Sequence, residues 1–505
     1  MAFSKTYDST NPYFAGDFWF TPGTITVAVD GIVSDLVSGG FTDDGLNLSN
    51  GPWTVTVKGL VSSLYGSGIN LVTAQPAGSI SKITVGATGH VEGTGYGILS
   101  SHALNLANDG DIHGNLVGVL INNSTSSSTL KNTGIIDGAV FGIELFDAAT
   151  VTNSGIVNGG TAIFQGLSSA ATTVTNSGVL HGSLTLANGD DKVKNSGTIE
   201  GNVTLGGGKD VFTNTGNVTG TINLGNGDDT FTGGKYRDQV FDSGDSDTYN
   251  LGDGFDTFDA VEVLSNLGID KVNGGGNAGA NPILDLYGDT YNASDATQSV
   301  YINLDSKAHH TVGSAVLYNA AEAHGNETGV DKISGFEVAY GGDGADIMFG
   351  NAAANLLRGG DGGDQLYGLA GNDRIEGGAA SDRIYGGLGR DTLIGGSDGY
   401  TDRFCYESVK DSTVAMAGRD VIQDYERIAD YIDFSAMNPG NVLGLHFTGK
   451  DVAFSGLGSV RALTTADGYV IEVDVNGDKI ADMAIDIADS DHSNSGWTST
   501  DFIFV

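Results

Sequence analysis

The sequence predicts an all-β protein: a parallel β-solenoid (β-helix) that leads into a parallel β-roll and ends in a small β-rich C-terminal domain. Three observations carry this prediction. Glycine makes up 80 of the 505 residues while proline contributes only 6, a composition of tight turns joined by short strands rather than of a flexible linker. A motif of the form Asn-Ser/Thr-Gly-x-Ile/Val-x-Gly recurs about every twenty residues, and further along an aspartate recurs every nine. Fixed periods of this kind mark architectures in which each repeat packs only on its neighbours, so a long chain needs no single large core.

The bulk numbers narrow the function classes. Hydrophobic residues at 39% are too many for a disordered chain. The formal net charge of −39 repels nucleic acid and anionic membrane surfaces. It also makes the chain repel itself, so a compact fold needs its carboxylates spread out or neutralised by cations. The single cysteine, Cys405, excludes an intrachain disulfide framework. No run of eighteen apolar residues is present, so no membrane span is expected. The opening MAFSKTYDSTNPYF lacks the charged and apolar regions of a Sec-type signal, which places any export address elsewhere.

Residues 1–80 lack the motif and are read as an N-terminal cap or assembly region. They hold aromatics (Phe14, Phe18, Trp19, Phe20, Trp53) and alternating runs such as Thr54-Val-Thr-Val-Lys58. An open solenoid end needs cover against edge-to-edge pairing; a docking surface for a partner is the other reading. Residues 81–224 are the solenoid. The motif runs as Asn132-Thr-Gly-Ile-Ile-Asp-Gly138, Asn153-Ser-Gly-Ile-Val-Asn-Gly159, Asn176-Ser-Gly-Val-Leu-His-Gly182, Asn195-Ser-Gly-Thr-Ile-Glu-Gly201 and Asn214-Thr-Gly-Asn-Val-Thr-Gly220, with weaker copies from Ala87 and Asn108. Each coil should supply two or three strands, with the Ile/Val position inside and the asparagines stacked as a hydrogen-bonded ladder in a corner. An antiparallel sandwich with regular turns is the competing architecture.

Residues 225–275 form an acidic repeat block in which Asp229, Asp238, Asp247 and Asp256 stand nine apart. Asp191, Asp210 and Asp229 stand nineteen apart, so the solenoid acquires acidic corners and then passes into nine-residue register near Gly225. Residues 276–340 are a β-rich connection. From Gly341 to residue 403 the chain reads GGDGADIMF, GNAAANLLR, GGDGGDQLY, GLAGNDRIE, GGAASDRIY, GGLGRDTLI and GGSDGYTDRF. The sixth position is Asp346, Asn355, Asp364, Asp373, Asp382 and Asp391 without a break, with Asp402 after a two-residue insertion. The eighth position is always apolar. This is the Gly-Gly-x-Gly-x-Asp-x-apolar-x pattern of Ca²⁺-binding parallel β-rolls.

Each position has a physical reason. Glycines let backbone carbonyls turn toward a cation, and aspartate adds a hard anionic oxygen. Ca²⁺ takes six to eight such oxygens at about 2.3–2.6 Å. Turns alternate between the two sides of the roll, so turns eighteen residues apart stack. One row should use Asp346, Asp364 and Asp382, the other Asn355, Asp373 and Asp391, with neutral Asn355 the weakest ligand. Asp343 and Asp361, at the third position, are candidates for extra side-chain oxygens.

These residues resemble the RTX (repeats-in-toxin) calcium-binding nonapeptide family of bacterial secreted proteins, strongly over 341–403 and less so over 225–260. Residues 404–505 resemble a C-terminal type I secretion domain, in Gly418-Arg-Asp-Val-Ile-Gln-Asp-Tyr-Glu, Asp430-Tyr-Ile-Asp-Phe434 and the acidic loop Asp474-Val-Asn-Gly-Asp-Lys-Ile-Ala-Asp482. The ending Asp501-Phe-Ile-Phe-Val505 resembles an uncleaved type I signal. The resemblance implies export through type I machinery from a Gram-negative cell, unfolded where Ca²⁺ is scarce, then folding outside, where binding energy becomes folding energy.

No HExxH motif is present, and the GxSxG match at Gly395-Gly-Ser397-Asp-Gly399 lies in a repeat turn rather than on a strand-to-helix elbow. A lyase or epimerase acting on an acidic polysaccharide needs a cationic group and a base, yet residues 1–236 contain no arginine and only scattered histidines. The sequence therefore favours a non-enzymatic, calcium-dependent, surface-layer-like structural protein that associates with itself. A monomeric adhesin for cell-surface glycans and a β-helix polysaccharide enzyme are the alternatives.

Overall fold

A computed structural model describes residues 3–7, 13–14, 23–27, 32–35, 44–48, 52–71, 79–122, 126–166, 168–260, 269–275, 290–311, 317–438, 442–489 and 496–505. Among them there is no α-helix. The chain divides into two compact units, Met1–Tyr249 and Asn250–Val505.

The first unit is a parallel solenoid. One sheet runs Ser81–Val85, Leu104–Asn108, Ser128–Asn132, Ala149–Asn153, Thr173–Asn176, Lys192–Asn195, Val211–Asn214 and Thr230–Thr232, every neighbour parallel. A second column stacks His90–Gly93, Asp111–Gly114, Ile135–Gly138, Ile156–Gln165, Val179–Thr185 and Thr198–Ile199 in the same sense. Parallel pairing throughout excludes the antiparallel sandwich. The strands alternate because one face is inside: Ile112, Ile136, Val157, Leu180 and Ile199 are fully buried, each contributing about 1.5–3 kcal/mol of hydrophobic stabilisation. The asparagine ladder is present. Asn108 Nδ2 donates to Asn132 Oδ1, Asn132 to Asn153, Asn153 to Asn176 and Asn176 to Asn195, each at 2.8 Å, and Asn195 to Asn214 at 2.9 Å.

The stacking does not begin at residue 81. Phe3–Tyr7, Gly23–Val27, Thr54–Val57 and Ser81–Val85 pair in parallel in that order. The alternation in Thr54-Val-Thr-Val buries Val55 and Val57, which suffices to join the stack without an Asn-Gly corner. Trp53 is buried, so it offers no docking face. Phe18, Trp19 and Phe20 lie outside the described residues.

In the second unit one column runs Thr257–Asp259, Thr290–Asn292, Val338–Tyr340, Leu356–Asp361, Arg374–Ala379, Thr392–Ile394 and Val421–Ile422. The opposite column runs Val300–Asn303, Ile347–Phe349, Gln365–Tyr367, Arg383–Tyr385, Arg403–Cys405, Tyr431–Asp433 and Phe502–Ile503. Steps of eighteen residues join successive nonapeptide strands on each side, as the nine-residue register requires. Met348, Leu357, Leu366, Ile375, Ile384 and Leu393 fill the interior with no exposed surface. Position nine of one column stacks outside it: Phe349 and Tyr367 have ring centroids 4.7 Å apart, Tyr367 and Tyr385 4.4 Å. The connection contributes an antiparallel insertion of Glu322–Gly325 between Val300–Asn303 and Gly329–Ser334. The C-terminal region adds an antiparallel meander of Ser459–Thr464, Gly468–Asp474 and Met483–Ala488.

Candidate metal sites

The sixth-position side chains form two ladders. In one, Asp346 N–H donates to Asp364 Oδ1 at 2.7 Å, Asp364 N–H to Asp382 Oδ1 at 2.8 Å and Asp382 N–H to Asp402 Oδ1 at 2.9 Å. In the other, Asn355 N–H donates to Asp373 Oδ1 and Asp373 N–H to Asp391 Oδ1, both at 2.8 Å. One oxygen of each carboxylate thus fixes the stacking of turns. The second is left over: Oδ2 of Asp364, Asp373, Asp382, Asp391 and Asp402 is buried with no hydrogen-bond partner. A buried unpaired carboxylate oxygen is costly, and five in register are a repeated feature.

The glycines show where those oxygens point. At Gly359, Gly368 and Gly377 an added Cβ would run into both the Oδ2 of its own turn's aspartate and the carbonyl oxygen of the first glycine eighteen residues on. The carboxylate and carbonyl oxygens therefore converge on the space that the missing side chain leaves. At positions two and four the backbone takes positive φ, as at Gly360 (+112°) and Gly362 (+115°). Leu369 (+74°) and Ala380 (+83°) adopt it at the same positions, a strain of order 1–3 kcal/mol each that the surroundings must offset. Hard oxygens only, with no nitrogen or sulfur, make up a donor set suited to Ca²⁺.

A model of the RTX calcium-binding nonapeptide repeat matches residues 224–258, 340–375 and 367–401, in four copies. The chain carries RTX calcium-binding nonapeptide repeats. Repeats of this kind bind Ca²⁺, so Ca²⁺ is this chain's metal. Among solved structures, the AlgE6R3 subunit of the Azotobacter vinelandii mannuronan C5-epimerase aligns over 32% of this chain and 78% of that subunit, at 24% identity and a TM-score of 0.18. No curated protein matches the chain.

The electrostatics of the RTX turns follow from burial. Desolvation pushes Asp364 and Asp373 up to about 9 and Asp382 up to about 8, with neighbouring carboxylates adding to the effect. Asp346 and Asp402 rise to about 6, held lower by the N–H groups that they accept. Like charges one strand spacing apart, about 4.8 Å, repel by about 3 kcal/mol per pair at an effective dielectric of about 20. A divalent cation in each cradle reverses the sign of that interaction.

The other candidate residues fall in different surroundings. Asn355 opens its row, its Oδ1 accepting from Asn351 N–H at 2.8 Å. Asp343 and Asp361 are exposed, close enough to Asp346 and Asp364 to raise them electrostatically. In the upstream block Asp229 N–H donates to Asp247 Oδ1 at 2.7 Å, the same ladder contact. Asp238 has another place: it accepts from Asn214 Nδ2 at 2.7 Å and so ends the asparagine ladder. Asp256 is buried.

Sequence spacing missed the continuation of both rows beyond residue 403. Asp402 N–H donates to Asp430 Oδ1 at 3.1 Å, and Asp391 N–H to Asp420 Oδ1 at 2.9 Å. Their steps of 28 and 29 residues hide them from a nine-residue count. The signal was there as Asp-x-Ile after Gly418 and Asp430-Tyr-Ile, each aspartate two residues before a buried isoleucine, Ile422 or Ile432. Ser397 of the GxSxG match sits in an exposed bend.

Proposed function

We propose that this protein is a secreted calcium-binding structural component of a bacterial cell surface or extracellular matrix, which folds and assembles when Ca²⁺ binds. The observation that carries the reading is the pair of rows of buried aspartates whose second oxygens have no partner. The ligands are Oδ2 of Asp364, Asp373, Asp382 and Asp391 with the adjoining glycine carbonyls, and Asp346 and Asn355 at the row starts, Asn355 weakest. Asp343 and Asp361 add outer oxygens. Asp229, Asp238 and Asp247 serve the upstream block, and Asp256 is a further ligand.

The solenoid's histidines support a structural reading over a catalytic one. His90 lies 3.0 Å from Asp111, His113 2.7 Å from Asp137 and His181 2.6 Å from Glu200, each pair bridging adjacent coils on an exposed face. Such pairs tie coil to coil. Export by type I machinery through residues 404–505, and assembly through residues 1–80, complete the proposal.

The test is light scattering with far-UV circular dichroism as Ca²⁺ is raised from zero to about 10 mM, above the 10⁻⁴–10⁻³ M range of extracellular modules. Folding followed by growth into large ordered particles is expected. A compact monomer would remove self-assembly and leave a glycan-binding adhesin. A far-UV spectrum indifferent to Ca²⁺ would sink the calcium-folding reading altogether.

A further inference from the structure

The carboxylate ladder begins before the recognised repeats do. The family match starts at residue 224, yet Asp191 N–H donates to Asp210 Oδ1 at 2.7 Å and Asp210 N–H to Asp229 Oδ1 at 2.6 Å. Thr172 N–H opens the row by donating to Asp191 Oδ1 at 2.5 Å. These contacts lie in solenoid coils of nineteen residues, whose other corner is the asparagine ladder. Asp191 and Asp210 have no exposed surface and Asp229 only 2%, and Oδ2 of all three is buried with no partner.

The backbone around them is that of an RTX turn. Counting the aspartate as position six, position two is Gly206 or Gly225, both at φ +101°, beside +112° at Gly360. Position four is Gly208 (+142°) or Gly227 (+124°), beside +115° at Gly362. A Cβ on Gly225 or Gly227 would run into the carbonyl oxygen of Gly206 or Gly208, as one on Gly378 would run into that of Gly360. Position three makes isolated parallel bridges, Asn188 to Gly207 and Gly207 to Asn226, matched by Ala370 to Leu388. Position one differs: Leu186, Leu205 and Leu224 point into the core where the nonapeptides have glycine.

From this we infer that the β-solenoid itself holds Ca²⁺ ions along the corner carrying Asp191 and Asp210, a row that begins upstream of the recognised repeats and runs into them at Asp229. The ligands are the free Oδ2 atoms and the carbonyls of positions two and four. The leucine at position one removes part of the cradle, so these sites bind more weakly than those of residues 341–402. The row ends at the coil that has Thr172, a neutral hydroxyl, at position six. The inference rests on the reading that the nonapeptide turns hold Ca²⁺ through the free Oδ2 atoms of their aspartates.

Hydrogen exchange on the full chain separates the two. With about 10 mM Ca²⁺ and a Kd of about 10⁻³ M, binding slows exchange by local opening about tenfold. In the wild type that slowing is expected at Lys192–Asn195 and Val211–Asn214 as well as at Gln365–Tyr367 and Arg383–Tyr385. Asp210→Asn keeps the Oδ1 acceptor but removes the charge, so it should abolish the calcium effect in the first pair of strands and leave the second pair unchanged. Asp191→Asn, at the end of the row, is the milder variant should Asp210→Asn not fold. A calcium effect confined to the second pair in the wild type, or one that survives at 192–195 in both variants, overturns the inference alone. No effect in either pair overturns the calcium reading of the whole chain.

Discussion

At Asp364 two demands oppose each other. Its Oδ1 holds the preceding turn in register through Asp346 N–H, and its Oδ2 sits buried without a partner. Burial, then the neighbouring Asp382, Asp346 and Asp361, raise its carboxyl to about 9. Without Ca²⁺ the group must take up a proton to be buried at pH 7, which costs stability; with Ca²⁺ it would serve as a ligand. Asp364→Asn keeps Oδ1 and removes the charge, so its effect should change sign: a higher melting temperature than wild type in chelator and a lower one in millimolar Ca²⁺. Equal shifts of the same sign in both conditions would mean that the carboxylate is purely structural. Gly359 tests the cradle directly, since a Cβ there meets both Asp364 Oδ2 and Gly377 O. Gly359→Ala should cost about 1–3 kcal/mol by overpacking and raise the calcium midpoint. Gly363→Ala, whose Cβ would meet only Ser381 O at 3.1 Å, is the in-turn control and should change little.

Among the elements, the solenoid coil has one neutral corner and one acidic corner, and they should respond differently to calcium. Asn176 accepts from Asn153 and donates to Asn195, fully buried. Asn176→Ala strands a donor and an acceptor, a loss of about 2–4 kcal/mol if each costs 1–3 with partial relaxation. Because no charge is involved, denaturation should show the same loss with and without Ca²⁺; a loss seen only in chelator would tie this corner to the metal. The neutral corner was legible in the sequence because Asn-Ser/Thr-Gly recurs with its buried Ile or Val four residues after the asparagine. The nonapeptide rows were legible for the same reason, a strict period. What escaped were elements joined by irregular lengths of chain: the parallel strands before Ser81, the return to the row at Asp420 and Asp430, and the place of Asp238 on the asparagine ladder. Spacing along the chain reports stacking only while every coil is the same length. Once a coil carries an insertion, the aspartate keeps its place through its hydrogen bond and its buried neighbour rather than through its count.

For the whole molecule, the formal charge of −39 and the buried rows both make the calcium-free chain prefer protons, and they can be told apart. The buried groups have folded values of about 6 for Asp346 and Asp402, about 8 for Asp382 and about 9 for Asp364 and Asp373, against 3.8 for an ordinary aspartate. A folded value above the unfolded one means that the native state binds more protons, so calcium-free stability is fully present below about 3.8 and is lost as pH rises through about 6 to 9. Acidification from pH 8 to 5 in chelator should therefore compact the chain, and relief of diffuse surface repulsion would do the same. Calcium separates the two causes. A cation that takes up Oδ2 of Asp364, Asp373 and Asp382 must displace the protons that these groups hold in the calcium-free fold near pH 7. Starting from acid-compacted protein brought to pH 7 in weak buffer, adding Ca²⁺ should release protons, and Asp364→Asn with Asp373→Asn should reduce the amount. The calcium midpoint should rise as pH falls across the same window, since protons compete for the same oxygens. Surface carboxylates, ionised at pH 7, have no protons to give up, so calcium binding without proton release from the compact state would place the ions on the surface rather than in the rows.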